Sequence, residues 1–159
     1  MLWPGRRLCG LQRQLERRIQ SVSIRKQGST DASSPSTKQR GDAAELLALQ
    51  HLQRQGWRLL QRNFKTPGRG GGEVDLIMRD ADGTLVFVEV RQRSSARYGG
   101  AGASIGSTKQ RRLVYAARHY LARLPQCPPC RFDVVLVQGS GAAATLEWLP
   151  AAFDASGWD

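Results

Sequence analysis

Two adjoining runs that read as strands constrain this chain most, the first in strict alternation and the second apolar on both faces in its first half. Glu73–Arg79 and residues 84–93 are separated only by Asp80-Ala-Asp-Gly83, a turn signal, and so predict an antiparallel hairpin. Side chains alternate across a strand. Glu73, Asp75 and Ile77 therefore share one face of the first strand, and Leu85, Phe87, Glu89 and Arg91 share one face of the second. With residues 81–83 as the loop, Asp75 stands opposite Glu89, and Glu73 opposite Arg91. Residues so paired have Cβ atoms ~5 Å apart. Two adjacent carboxylates, one of them beside Leu85 and Phe87, cost stability unless a proton or a cation resolves the repulsion. A divalent metal such as Mg²⁺ is one resolution, because it takes oxygen ligands. A structural ion pair of Arg91 with Glu89 or Glu73 is the other.

The flanking sequence supplies the remaining elements. Asp42-Ala-Ala-Glu45 has the spacing of a capping box, which predicts a helix from Asp42 to about Gln55 with Gly56 as its stop. Residues 57–63 read as a strand, and Lys65-Thr-Pro-Gly-Arg-Gly-Gly-Gly72 as a loop. The strand over 84–93 is apolar on both faces in its first half, which predicts a central position. A second Gly-rich loop covers 98–106. Ser107 with Gln110 opens another helix, whose apolar stripe includes Leu113, Ala117 and Leu124. Residues 131–138 alternate as a strand, and 145–149 read as an edge strand. Glu45 either faces the core with Leu49 and Leu52 or completes the capping box. Lys109 lies at the inward edge of the second helix, aimed at the carboxylates or snorkelling beside the stripe.

Charge divides the chain unevenly. There are 24 Lys and Arg against 13 Asp and Glu, for a net +11, and nine of the basic residues but two of the acids fall within 1–40. Residues 1–40 thus read as a basic arm and linker, with a domain over 41–159. In the arm, Leu8, Leu11, Leu15, Ile19 and Val22 repeat at helical spacing among arginines. A helix that orders on a partner, a targeting segment and a disordered tail all fit this pattern. A basic balance favours polyanions, either nucleic acid or an anionic membrane surface. No run approaches the ~18 apolar residues of a membrane span. Three cysteines argue against a disulfide framework and for a reducing, cytoplasmic setting. Cys127-Pro-Pro-Cys130 has no second CxxC to complete a zinc site, and reads as a loop around a Pro-Pro turn.

Six blocks in one order carry a family resemblance. They are Gly41-Asp-Ala-Ala-Glu45, Gly72-Glu-Val-Asp-Leu-Ile77, Phe87-Val-Glu-Val-Arg91-Gln-Arg93, Tyr98-Gly-Gly100, Lys109 and Arg131-Phe-Asp-Val134. Together they resemble the YraN family of predicted endonucleases, itself similar to archaeal Holliday junction resolvases of the PD-(D/E)xK superfamily. The match spans residues 41–154. It implies an α/β, restriction-endonuclease-like fold, with a mixed sheet of four to five strands flanked by helices. It also implies that Asp75 and Glu89 are the motif acids, that Arg91 stands where the superfamily has lysine, and that Glu45 is the helix glutamate. Lys109 matches an auxiliary basic position, and resolvase-like proteins imply a homodimer.

These readings converge on a nucleic-acid-binding protein acting as a metal-dependent endonuclease on DNA, including branched DNA, in preference to RNA. Asp75 and Glu89, with Glu45 as a third ligand, would hold Mg²⁺ or Mn²⁺. Arg91 would stabilise charge on the phosphate, since arginine keeps its proton where lysine can lose it. Arg93, Lys109, Arg111, Arg112 and Arg118 are the candidate nucleic-acid contacts. The alternatives are a non-catalytic nucleic-acid binder on the same fold and a scaffold whose arm docks on an acidic surface.

Overall fold

A computed structural model of the chain describes residues 35–68, 70–93 and 105–155, all within one compact unit, Pro35–Asp159. The basic arm, the Tyr98-Gly-Gly block and most of the second Gly-rich loop lie outside the described residues.

The first helix, α1 (Thr37–Arg54), begins five residues before the expected position. Ser36 is its N-cap. The Ser36 hydroxyl accepts the Gln39 N–H at 3.2 Å, and the Gln39 side chain accepts the Ser36 N–H at 2.8 Å. That reciprocal pair is the capping box. Asp42 is therefore not a cap but lies within the helix, where it makes an exposed 3.3 Å ion pair with Lys38. Glu45, well inside the helix, is released from any capping role.

Five strands follow the hairpin logic. β1 (Arg58–Lys65), β2 (Glu73–Arg79), β3 (Leu85–Arg93), β4 (Cys130–Gln138) and β5 (Thr145–Phe153) lie side by side in chain order. β3 and β4 are parallel and the other neighbours antiparallel, so the sheet is mixed. β3 is central, as its two apolar faces required. β1 extends two residues beyond the predicted end, and β5, an edge strand, runs four residues further than predicted. The second helix, α2 (Ser107–Leu121), crosses between β3 and β4 as a parallel connection demands. Its N-cap is Gly106, without a side-chain cap, and Gln110 instead reaches back to the Ile105 carbonyl at 2.9 Å.

The helices cover opposite faces. Ala44, Ala48, Leu49 and Leu52 of α1 pack on Leu76, Met78, Val86, Val88 and Val135. Leu113, Ala116 and Ala117 of α2 pack on Ile77, Leu85, Phe87 and Val134. This three-layer α/β arrangement is the one expected of a restriction-endonuclease-like fold. A polar clasp holds the sheet at one end. Arg131 donates to Asp80 at 2.6 Å and to Asp133 at 3.0 Å, and Asp133 also accepts from the Trp148 indole and the Ala151 N–H. Cys130 is the first residue of β4 and not part of a loop, and both it and Cys127 are exposed free thiols.

Candidate active site

The β2–β3 turn sets the site. Asp80 accepts the Thr84 and Asp82 N–H groups through its side chain, and Gly83 adopts φ +88°, so a three-residue loop closes the hairpin. The resulting register pairs Arg79 with Leu85 and continues through Leu76 and Val88. The predicted register is correct, and it brings Asp75 and Glu89 to the next position. There the ladder stops. β2 continues beside β1 alone, and β3 beside β4 alone. Glu73 consequently does not meet Arg91 but pairs with Lys65 on β1 at 3.0 Å.

Asp75 occupies the fork. Its Oδ2 accepts the Val90 N–H at 2.7 Å, replacing the strand partner that the parting removes. Glu89 lies on the α2 side, 3% exposed. Lys109 reaches it from the first turn of α2, with Nζ 2.9 Å from Glu89 Oε2. Arg91, nearly half exposed, is more distant at 3.9 Å from Glu89 Oε1. Glu45 approaches from α1, with Arg62 of β1 at 3.6 Å and Asn63 hydrogen-bonded to it. The structure thus gathers Asp75, Glu89, Lys109 and Arg91, with Glu45 close enough for its charge and that of Asp75 to act on each other.

All three acids are harder to ionise than usual. Burial raises Glu45, and the charge of Asp75 adds to it. Burial also raises Asp75, against the lowering effects of the Val90 N–H and Lys109. Glu89 is pushed up to about 7, first by burial and then by the charge of Asp75, with Lys109 opposing. Such clustering of perturbed acids marks sites of chemistry more often than scaffolding.

The donor set suits a hard divalent cation. Glu45 Oε2 and Glu89 Oε2 are buried without a hydrogen-bond donor. The Lys109 ammonium, 2.9 Å from Glu89 Oε2, offsets the charge of that carboxylate. Carboxylate oxygens in that state are ligands Mg²⁺ or Mn²⁺ accepts. Among the described residues, no group of three or more His, Cys, Asp and Glu stands ready-spaced for a metal. The two motif acids with Glu45 behind them are the residues available.

Lys109 is held by a close approach that periodicity does not reveal. A Cβ on Gly72 would collide with the Arg112 carbonyl oxygen and lie 3.0 Å from Ala116 Cβ, so α2 packs directly on this glycine. Thr66 fixes the same point. It accepts the Gly72 N–H at 2.7 Å through its hydroxyl and donates its own N–H to the Gly72 carbonyl at 3.0 Å. The Gly-Gly-Gly tract is the available signal, since glycine in such a place often marks close backbone approach. Arg62 and Asn63 carry no such signal in the sequence. In the structure Asn63 adopts φ +49°, a conformation that asparagine tolerates.

The remaining cations are dispersed. Arg111, Arg112 and Arg118 lie on the exposed side of α2. Arg93 lies at the end of β3, lining a groove of about 500 Å³ with Thr37, Arg40, Gln92 and Ser140. That groove does not include the carboxylates. No helix among the described residues is long and apolar enough to cross a membrane.

Comparison with known proteins places this geometry in a family. A family model described as "Uncharacterised protein family UPF0102" matches residues 44–137, which include Glu45, Asp75, Glu89, Arg91 and Lys109. A UPF0102 protein of Polaromonas naphthalenivorans is 65% identical over 125 residues, covering 76% of this chain and 82% of the relative. One of Paracidovorax citrulli is 66% identical over 119 residues, 75% of this chain and 85% of the relative. One of Albidiferax ferrireducens is 65% identical over 119 residues, 75% and 90% respectively.

Proposed function

This chain belongs to the uncharacterised, YraN-like family UPF0102, and we propose that it is a nucleic-acid-binding protein and a divalent-metal-dependent endonuclease acting on DNA. One observation carries the reading: Lys109 Nζ stands 2.9 Å from Glu89 Oε2 at the fork that Asp75 occupies. Two acids and a lysine at one point match the needs of phosphodiester hydrolysis.

Asp75 and Glu89, with Glu45 behind them, would hold Mg²⁺ or Mn²⁺, which when bound supplies a Lewis acid and lowers the pKa of water. The Val90 N–H fixes one oxygen of Asp75 by a backbone bond. Lys109 brings a compact ammonium to Glu89. It answers the absence of lysine at position 91, because a lysine amine reaches the site from the helix in place of the strand. Arg91 keeps its charge at any working pH and is suited to neutralising a phosphate oxygen. The basic residues of α2 and the arm would track the backbone, and branched DNA would suit two copies of the chain, each presenting one centre.

A second reading has its own support. Arginine at position 91 cannot exchange a proton, and the acids are not ready-spaced for a metal. Both features suit a nuclease-derived protein that binds nucleic acid without cutting it. A cleavage screen decides between them. Purified protein is incubated with linear, single-stranded, flapped and four-way DNA in Mg²⁺ or Mn²⁺. Metal-dependent cutting of at least one substrate is expected. Salt-sensitive binding of DNA with no cutting of any substrate contradicts the nuclease and leaves the binding protein.

A further inference from the structure

Between α2 and the loop before β2 lies a groove that the proposed chemistry does not use. It measures about 260 Å³ and is lined by Gly70, Thr108, Arg111, Arg112 and Tyr115. Resting on the endonuclease reading above, we infer that this groove seats an unpaired nucleotide of the DNA substrate, its base stacked on Tyr115 and its phosphate held by Arg111 and Arg112.

Several observations support this occupant. Tyr115 is one of two large apolar side chains exposed among the described residues, with 45% of its surface accessible. Its neighbours Leu113, Val114, Ala116 and Ala117 are buried, so this ring is not needed for the core. His119 meets it edge to face, with centroids 4.6 Å apart, and holds the ring in place. Among the described residues the lining contains two arginines and no carboxylate, which complements a phosphodiester. Gly70, at φ +81°, contributes backbone alone to its wall, which leaves width for a planar base. Finally, the groove lies on the helix that carries Lys109. Thr108 precedes Lys109, and the Arg112 backbone is pinned on Gly72. Paired bases are already stacked and offer no face to the ring, so the groove selects single-stranded or flapped DNA.

The test measures binding in EDTA, so cleavage does not enter. Affinities of the full chain for fluorescent oligo-dT and for a duplex of equal length are compared at one salt concentration. Tyr115→Ala should weaken oligo-dT about tenfold, the loss of one base–aromatic stack, and leave duplex affinity within about twofold. Tyr115→Phe should match the wild type. On unmodified protein, oligo-dT carrying 5-iodouracil should photocrosslink at Tyr115, a readout independent of any variant's folding. Unchanged oligo-dT affinity in Tyr115→Ala, an equal loss for duplex, or crosslinks that avoid Tyr115 would overturn the inference while leaving the nuclease reading intact. Wild-type protein that binds neither DNA form would overturn both.

Discussion

Asp75 Oδ2 accepts the Val90 N–H at 2.7 Å at the level where β2 and β3 separate. A side chain thereby takes up a strand N–H where the backbone partner is absent. Glu89, one position earlier on the same strand, turns toward α2 and Lys109. Because the β2–β3 ladder ends at Leu76 and Val88, the Val90 N–H is left for the Asp75 side chain.

Gly72 determines whether Lys109 reaches that site. Gly72→Ala forces a methyl group into the Arg112 carbonyl, and backbone cannot yield as a flexible side chain does. Overpacking of this kind costs about 1–3 kcal/mol. Urea denaturation should report a loss in that range. Gly41→Ala, whose added Cβ meets nothing within 4 Å, should be neutral or slightly stabilising.

The acids predict how the metal-free protein responds to pH. Burial and the charge of Asp75 push Glu89 from 4.5 up to about 7, so the folded chain holds this proton more tightly than the unfolded one. Its stabilising contribution is complete below about pH 4.5 and is lost as pH rises through about 7. Asp75 and Glu45 shift in the same direction. In EDTA the melting temperature should therefore fall across that window, with a cost approaching roughly 3 kcal/mol for Glu89. Glu89→Gln should flatten the fall and melt higher than the wild type at pH 8. A wild-type curve flat between pH 5 and 8 contradicts the burial of these charges.

Much of this site is legible in the sequence because hairpin geometry is local. Alternation and a three-residue turn suffice to bring Asp75 and Glu89 to one level. What local pattern does not supply is the parting of the strands beyond Leu76 and Val88, after which β2 pairs with β1 and β3 with β4. The start of α1 escapes the sequence for a different reason. Ser36-Thr-Lys-Gln39 and Asp42-Ala-Ala-Glu45 are equally good capping boxes, and the first lies in a Ser- and Thr-rich stretch that resembles linker. Gly72 reads as part of a loop because glycine signals conformational freedom and close approach alike, and only the packed helix distinguishes them.

Metal should bind the folded protein preferentially. Millimolar Mg²⁺ or Mn²⁺ at pH 8 should raise the melting temperature by linkage, and Asp75→Ala should abolish the rise. Differential scanning fluorimetry is sufficient. An equal rise in wild type and variant would place the metal elsewhere.

The arm should act through charge. Removing residues 1–34 deletes seven basic side chains and spares Ser36, the cap of α1. DNA affinity should drop, and the slope of log affinity against log salt should shrink by ~0.9 for each phosphate that the arm no longer neutralises. An unchanged slope means the arm does not touch DNA.

The most direct measurement pairs binding with cutting in Asp75→Asn and Glu89→Gln. Each removes a negative charge beside the phosphate path at almost constant size. DNA binding in EDTA should hold or strengthen, because a repulsive contribution is gone. Metal-dependent cleavage should fall at least ~100-fold, since these acids position the metal and through it several kcal/mol of transition-state stabilisation. Cleavage that persists at wild-type rate in both variants would contradict the assignment of this fork as the active site.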